Sequence, residues 1–231
     1  MARIIVFDVN ETLLDVQTLS PYFEHMFGDK NALKEWFSLL LLHSEAATLA
    51  GPYFDFGTLA DATLDMVGAA RSQPVTAAEK KRILEAIVHL PPHPEVKQAL
   101  AVLKKAGLRM VTLTNSSQKA VEQQVQNAGL TEFFEKNFSV DSIQRYKPAP
   151  ETYRMVAASL RVEIGQLRLV AAHGWDILGA MQAGCTAAFV ARKGQSLFPL
   201  VKPPDVIGPD LLAVAQQIVH REKGQQPVAA P

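Results

Sequence analysis

The run Ile4-Ile5-Val6-Phe7 is apolar at every position, rich in β-branched residues, and stops on Asp8. A strand without polar alternation has no face to offer to water, so it belongs in the middle of a parallel sheet covered by helices on both sides. In open α/β sheets ligands bind at the carboxyl ends of the strands, and that is where Asp8 stands. With 231 residues, 48% of them apolar, the chain can bury such a core.

The rest of the chain divides by its periodicity. From about Val16 to Leu90 no strand pattern occurs. Leu33, Trp36, Phe37, Leu40 and Leu41 recur at helical spacing, as do Leu59, Thr63, Leu64 and Met66-Val67. Thr76, with Glu79 three residues on, reads as a capping box. After Pro91 helix and strand alternate. Helices are expected over His93 to Ala106, Gln118 to Ala128, Pro150 to Leu160, Asp176 to Ala183 and Leu211 to His220. Strands are expected over Leu108 to Leu113, Phe138 to Val140, Leu167 to Ala172, Thr186 to Ala191 and Val206-Ile207. Gly107, Gly129 and Gly184 are the helix stops. This order predicts an α/β fold, a Rossmann-like doubly wound parallel sheet interrupted by a helical insert. Residues 1–14 and 92–231 are assigned to the core, and residues 15–91 to the insert. The polar tail after Arg221 is expected to be disordered.

Several function classes are disfavoured. Lys plus Arg equals Asp plus Glu, so nothing in the charge balance points to nucleic acid or an anionic membrane. Cys185 is the only cysteine, which rules out an internal disulfide and argues against a cysteine-based zinc site; a small buried apolar role is expected for it. No stretch approaches the roughly 20 apolar residues of a membrane span. The run Ile4 to Phe7 is cut too soon by Asp8 for a signal peptide. A reducing cytoplasm is the expected compartment.

Four polar points fall at or just after the carboxyl ends of successive strands: Asp8 with Thr12, Thr114 with Asn115, Lys147, and Asp176. A parallel sheet brings such points to one edge. A carboxylate facing an open crevice can act as a nucleophile and form an ester; it can also simply cap a helix. Thr12, one turn on, can place a hydroxyl beside it. Thr114-Asn115-Ser116-Ser117 collects hydroxyls, an amide and helix N-terminal N–H groups, which serve an anion and a helix cap equally well. Lys147, stiffened by Pro148 and Pro150, can hold Asp8 charged. Asp176 can steady Lys147 or orient a water. His173 can act as a base on that water, or rest neutral and hydrogen-bonded in the wall.

In order, and over nearly the whole chain, these points resemble the four motifs of the haloacid dehalogenase superfamily. The helical insert lies where that superfamily carries a cap domain. The resemblance to its phosphatases is weaker. They carry an acid two residues after the nucleophile and a metal-holding aspartate in the fourth motif, where this chain has Asn10 and Ala172. The sequence is more similar to the type II (S)-2-haloacid dehalogenases.

That resemblance implies attack by Asp8 on C2 of a short 2-halo acid and expulsion of halide. Hydrolysis of the ester to a 2-hydroxy acid would follow, without metal or cofactor. It implies Asp8, Thr12, Lys147 and Asp176 as catalytic residues; His173 stands where the family has an asparagine near the hydrolytic water, and is counted with them as a candidate base. It places Val9, Asn10, Thr114, Asn115, Tyr153 and Trp175 around the substrate, and suggests a homodimer. Phe37 stands where the family's halide-binding arginine is expected, so a different cradle is expected from Asn10, His43, Trp36 or Phe37. The Leu39 to Leu42 run and Phe54 to Phe56 are expected to form insert core or a subunit interface. Two competing readings remain: a phosphatase with altered metal ligands, and a non-catalytic binding protein on the same fold.

Overall fold

The computed structural model describes residues 3–224. Its centre is a six-stranded, all-parallel sheet. The strands are β1 (Ile4–Phe7), β2 (Arg109–Thr114), β3 (Lys136–Ser139), β4 (Leu167–Ala171), β5 (Thr186–Val190) and β6 (Val206–Gly208). Their order is β3-β2-β1-β4-β5-β6, so the chain leaves β1 first toward one edge and later toward the other. The crevice between β1 and β4 is therefore the topological switch point, where ligands of such sheets bind. Every residue of β1 is buried, as its unbroken apolar run requires. Each fully buried Ile, Val or Phe side chain there stabilises the fold by roughly 1.5–3 kcal/mol.

Helices α1 (Ser20–Phe27), α2 (Ala32–Ala50), α3 (Phe56–Ala70) and α4 (Ala77–Ile87) all precede β2. Thr76 and Glu79 form the reciprocal capping box at the start of α4. The two passages between this helical segment and the sheet run side by side. Asp15 N–H donates to the Pro91 carbonyl at 2.8 Å and His93 N–H to that of Leu13 at 3.0 Å. The segment also touches the loop after β3, where Tyr146 N–H donates to Thr48 Oγ1 at 3.0 Å, Tyr146 Oη to the Phe54 carbonyl and Tyr53 Oη to Asp141.

The remaining helices are α5 (Val96–Lys105), α6 (Gln118–Asn127), α7 (Pro150–Leu160), α8 (Gly174–Ala183) and α9 (Leu211–Gly224). Most elements lie within a few residues of their expected bounds, and three differences are informative. Helix α5 begins at Val96 rather than His93; Pro92 and His93 are instead paired with Leu14 and Leu13 in the returning passage. Helix α8 begins at Gly174, ahead of Asp176, with His173 as an N-cap that makes no side-chain cap bond. No usual capping residue marks that start, and a Cβ on Gly174 would lie 2.3 Å from the Ser196 carbonyl oxygen, so only glycine fits. Helix α9 continues past His220 to Gly224; residues 225–231, the rest of the tail, lie outside the described residues. Cys185 is buried, and burial pushes its thiol up to about 12. Among the described residues no helix is long and apolar enough to cross a membrane.

Candidate active site

Asp8 is the first residue beyond β1, and its N–H donates to the Val170 carbonyl at 3.1 Å. That bond extends the ladder by one step and points the side chain across the switch point. Thr12 Oγ1 accepts the Ala172 N–H at 2.9 Å and donates to Asp8 Oδ2 at 2.6 Å. Because the backbone N–H occupies a lone pair of the hydroxyl, its proton is aimed at the carboxylate.

Lys147 Nζ donates to Asp8 Oδ1 at 2.8 Å, to Asp176 Oδ2 at 2.6 Å and to the Leu113 carbonyl at 3.1 Å. An ammonium has three N–H bonds, and all are used. The lysine is almost fully buried, and its N–H donates to Asn115 Oδ1 at 3.0 Å, which anchors its loop to the end of β2. Burial alone would lower its pKa; the charges of Asp176 and Asp8 raise it above the ordinary lysine value. Asp176, in the first turn of α8, accepts the Tyr153 hydroxyl on Oδ1 at 2.6 Å. Helix α8 comes this close because Gly179 has no Cβ: one would stand 2.5 Å from Pro148 Cβ and 2.7 Å from the Tyr153 hydroxyl. With both oxygens taken and no exposure, Asp176 is not placed to orient a water; it anchors Lys147. Tyr153 likewise lies behind the site, and its place as a substrate contact is corrected accordingly.

His173 bridges two carboxylates. Nδ1 lies 3.2 Å from Asp8 Oδ2 and Nε2 lies 2.7 Å from Glu11 Oε2. Burial disfavours the charged ring, but these two partners outweigh it and push its pKa up to about 10. With Asp8 and Glu11 beside it, the resting ring is held toward its protonated form, which disfavours the neutral wall residue that the sequence left open; the base reading concerns the step after Asp8 has lost its charge. Asp8 shows the opposite balance. Burial would raise its pKa, yet the charge of Lys147, with the bond and charge of His173, holds the carboxyl well below its usual range.

A small cavity opens on this cluster, lined by Asp8, Asn10, Thr114, Asn115, Lys147, His173 and Trp175 from the sheet side, and by Phe37, Leu41 and Phe56 from the helical segment. It holds about 10 Å³ of free space, roughly room for one water. Trp175 stacks on His173 with centroids 5.2 Å apart, and Phe37 stacks on it at 6.3 Å. Asn10 lines the wall with its amide tied at both ends, Nδ2 to Ser116 Oγ at 3.2 Å and Oδ1 from Gln124 Nε2 at 2.9 Å. Ser117 caps α6, and Thr114 Oγ1 accepts the Ser116 N–H at 3.1 Å, so the cap and the wall use neighbouring groups.

Three expected contacts lie elsewhere. The Trp36 indole is buried inside the helical segment and donates to the Ala60 carbonyl at 3.0 Å. It is one residue, about 100° of helix, away from Phe37. Val9 is fully buried and is not among the lining residues, and neither is His43. Conversely, Leu41 and Phe56, assigned from sequence to insert core or an interface, line the cavity. Leu41 was within reach of sequence reasoning, since it follows Phe37 by four residues on one helix face. Glu11 had no such signal, because its contact with His173 spans 162 positions.

A divalent metal does not fit this donor set. Asp8 and Asp176 already receive Lys147, Thr12, His173 and Tyr153, and Ala172 has no side-chain ligand to offer. Among the described residues no group of three or more His, Cys, Asp or Glu is disposed to hold a metal ion.

The chain resembles known proteins in sequence and in fold. A family model described as haloacid dehalogenase-like hydrolase matches residues 2–184. The (S)-2-haloacid dehalogenase of Xanthobacter autotrophicus is 31% identical over 84% of this chain and 77% of its own. The haloacetate dehalogenase H-2 of Moraxella sp. (strain B) is 28% identical over 94% of this chain and 96% of its own. The structure of L-2-haloacid dehalogenase from Xanthobacter autotrophicus with chloropropionic acid covalently bound superposes with a TM-score of 0.89 at 25% identity, covering 98% of this chain and 100% of that one.

Proposed function

Because this chain belongs to the haloacid dehalogenase-like hydrolases, we propose that it hydrolyses the carbon–halogen bond of short 2-halo carboxylic acids, with Asp8 as the nucleophile. The observation that carries this reading is the ionised Asp8 carboxylate, oriented by Lys147 and Thr12 and facing a cavity. Oδ1 accepts one hydrogen bond whereas Oδ2 accepts two, so Oδ1 keeps the freer lone pair for attack on C2. The oxygen–carbon bond forms as halide departs with the electron pair, inverting C2. Water then adds to the Asp8 carboxyl carbon; one of its protons passes to the departing oxygen of the 2-hydroxy acid and the other is released to solvent, so the carboxylate is restored. The covalently bound chloropropionic acid in the Xanthobacter relative supports such an ester here.

Halide leaves as an anion and needs no proton, which suits a site where an amide, Asn10, stands two residues after the nucleophile. The crowded donor set around Asp8 supports a reaction without metal. Entry requires Phe37, Leu41 and Phe56 to move, so the helical segment acts as a cap over the sheet edge. We assign the chain to the cytoplasm as a homodimer; the lone cysteine and the exposed apolar Leu42, Leu49 and Phe54 are compatible with this.

The test is a halide-release assay over chloro-, bromo- and fluoroacetate and both 2-chloropropionates, with and without EDTA, beside a panel of small phosphate esters. Halide release that survives EDTA is expected. Magnesium-dependent phosphate release without halide release would make the chain a phosphatase.

A further inference from the structure

The residue that most separates this site from a plain wall of hydrogen bonds is Glu11. Its backbone is left-handed, with φ 62°, a region that favours glycine. The conformation is pinned from both sides: Glu11 N–H donates to the Leu14 carbonyl at 2.9 Å, and the Glu11 carbonyl contacts His93 Nε2 at 3.2 Å. The turn delivers the Glu11 carboxylate to His173, with Gln195 Nε2 donating to the same oxygen at 3.2 Å.

His173 therefore has a carboxylate oxygen at each ring nitrogen. A neutral imidazole carries one N–H and one lone pair, so one of these contacts would set lone pair against carboxylate. The imidazolium satisfies both at once. Its surroundings are otherwise apolar on the helical-segment side, where Phe37, Leu41 and Phe56 bring no charge. The charged groups beyond the two partners are Lys147 and Asp176 behind Asp8, and Arg192, which donates to the Thr12 carbonyl at 2.6 Å and pairs with Glu95. Phe37 packs on the His173 ring, so the cap residue at that position contributes a face to a cation on the sheet side.

We propose that Glu11 is a positioning residue that holds His173 as an imidazolium, and that this imidazolium supplies the fixed positive charge beside the departing halide. The inference rests on the dehalogenase reading above. As the Asp8–C2 bond forms and the C2–halogen bond breaks, the halide takes the electron pair and His173 keeps its proton; no hydrogen halide is formed. The cation lies in the wall of the same cavity as Asp8, in a water-poor setting where a preorganised charge acts strongly.

Two readouts test it. The first follows the charge alone, by nitrogen NMR of the histidine rings in ligand-free protein, with His173 identified by its loss in His173→Asn. Its ring is expected to remain doubly protonated at pH 8, and Glu11→Gln to lower its titration midpoint by about one pH unit or more, a tenfold loss of proton affinity. The second uses bromide as the probe. Bromide is expected to shift the His173 signals, and its inhibition of chloroacetate turnover to weaken as pH rises through the same midpoint, earlier in Glu11→Gln. A neutral His173 at pH 7, a midpoint unmoved by Glu11→Gln, or bromide that neither shifts His173 nor inhibits with that pH dependence would overturn the proposal. The wild-type titration decides the charge even where a variant does not fold. Absence of halide release with an intact imidazolium would instead remove the dehalogenase reading.

Discussion

Lys147 Nζ lies 2.8 Å from Asp8 Oδ1, with the lysine side chain only 1% exposed. A charged pair this deep is costly to form and more costly to break, because either partner alone would be a bare charge without water. The pair therefore ties the fold and the chemistry together: what keeps Asp8 ionised also keeps the sheet edge intact.

Asp8→Asn keeps the shape of the side chain and removes the proposed nucleophile. Turnover is expected to fall on the order of 10⁴-fold or more. In wild-type protein, one turnover in heavy-oxygen water should yield unlabelled product, with label entering Asp8 and then later products. Label in the product of the first turnover would mean direct attack by water. Full activity in a mass-verified, non-deamidated Asp8→Asn protein would exclude Asp8 as nucleophile.

Thr12 links the Ala172 N–H to Asp8 Oδ2. Thr12→Val deletes both bonds and should lower kcat about 10²-fold through misplacement of the carboxylate, whereas Thr12→Ser should recover most of the loss. Equal activity in the two variants would show that the hydroxyl does not orient Asp8.

Lys147→Met leaves Asp8 and Asp176 facing each other without a cation between them, and Asp176 with none at all. Unfolding in urea should show a stability loss of about 3–5 kcal/mol, and adding Asp176→Asn should return part of it. A Lys147→Met protein as stable as the wild type would contradict a charged pair.

The pKa of His173 is raised in the fold, so its ionic contribution to stability is complete below its ordinary value of 6.5 and is lost as pH climbs toward about 10. The melting-temperature gap between wild type and His173→Asn should narrow across that window. Asp8 has the reverse sign: its pKa is lowered, and its contribution holds above 3.8 and declines as the solution becomes more acid than that. A gap that stays constant from pH 6 to 10 would mean that His173 does not carry a charge in the fold.

The sequence alone determined the sheet, because it is written in local patterns. An unalternated apolar run such as Ile4–Phe7 has no use for a solvent face, and helix–strand alternation after Pro91 permits essentially one handed, parallel arrangement. The convergence of Asp8, Thr114, Asn115, Lys147 and Asp176 follows from that arrangement, since each lies at or just beyond a strand end. Only the tertiary structure brought Glu11 to His173 and Asp176 to Lys147, and set which insert side chains face the cavity. The charge of a ring depends on what stands at both its nitrogens, and Glu11 reaches one of them through a left-handed turn that no spacing announces. Trp36 and Phe37 are adjacent in sequence, yet one residue of helical rotation turns the first into the insert's own core and the second over the nucleophile. Patterns along a chain fix which faces are buried; the partners found across those faces are set by distances between residues far apart in the chain.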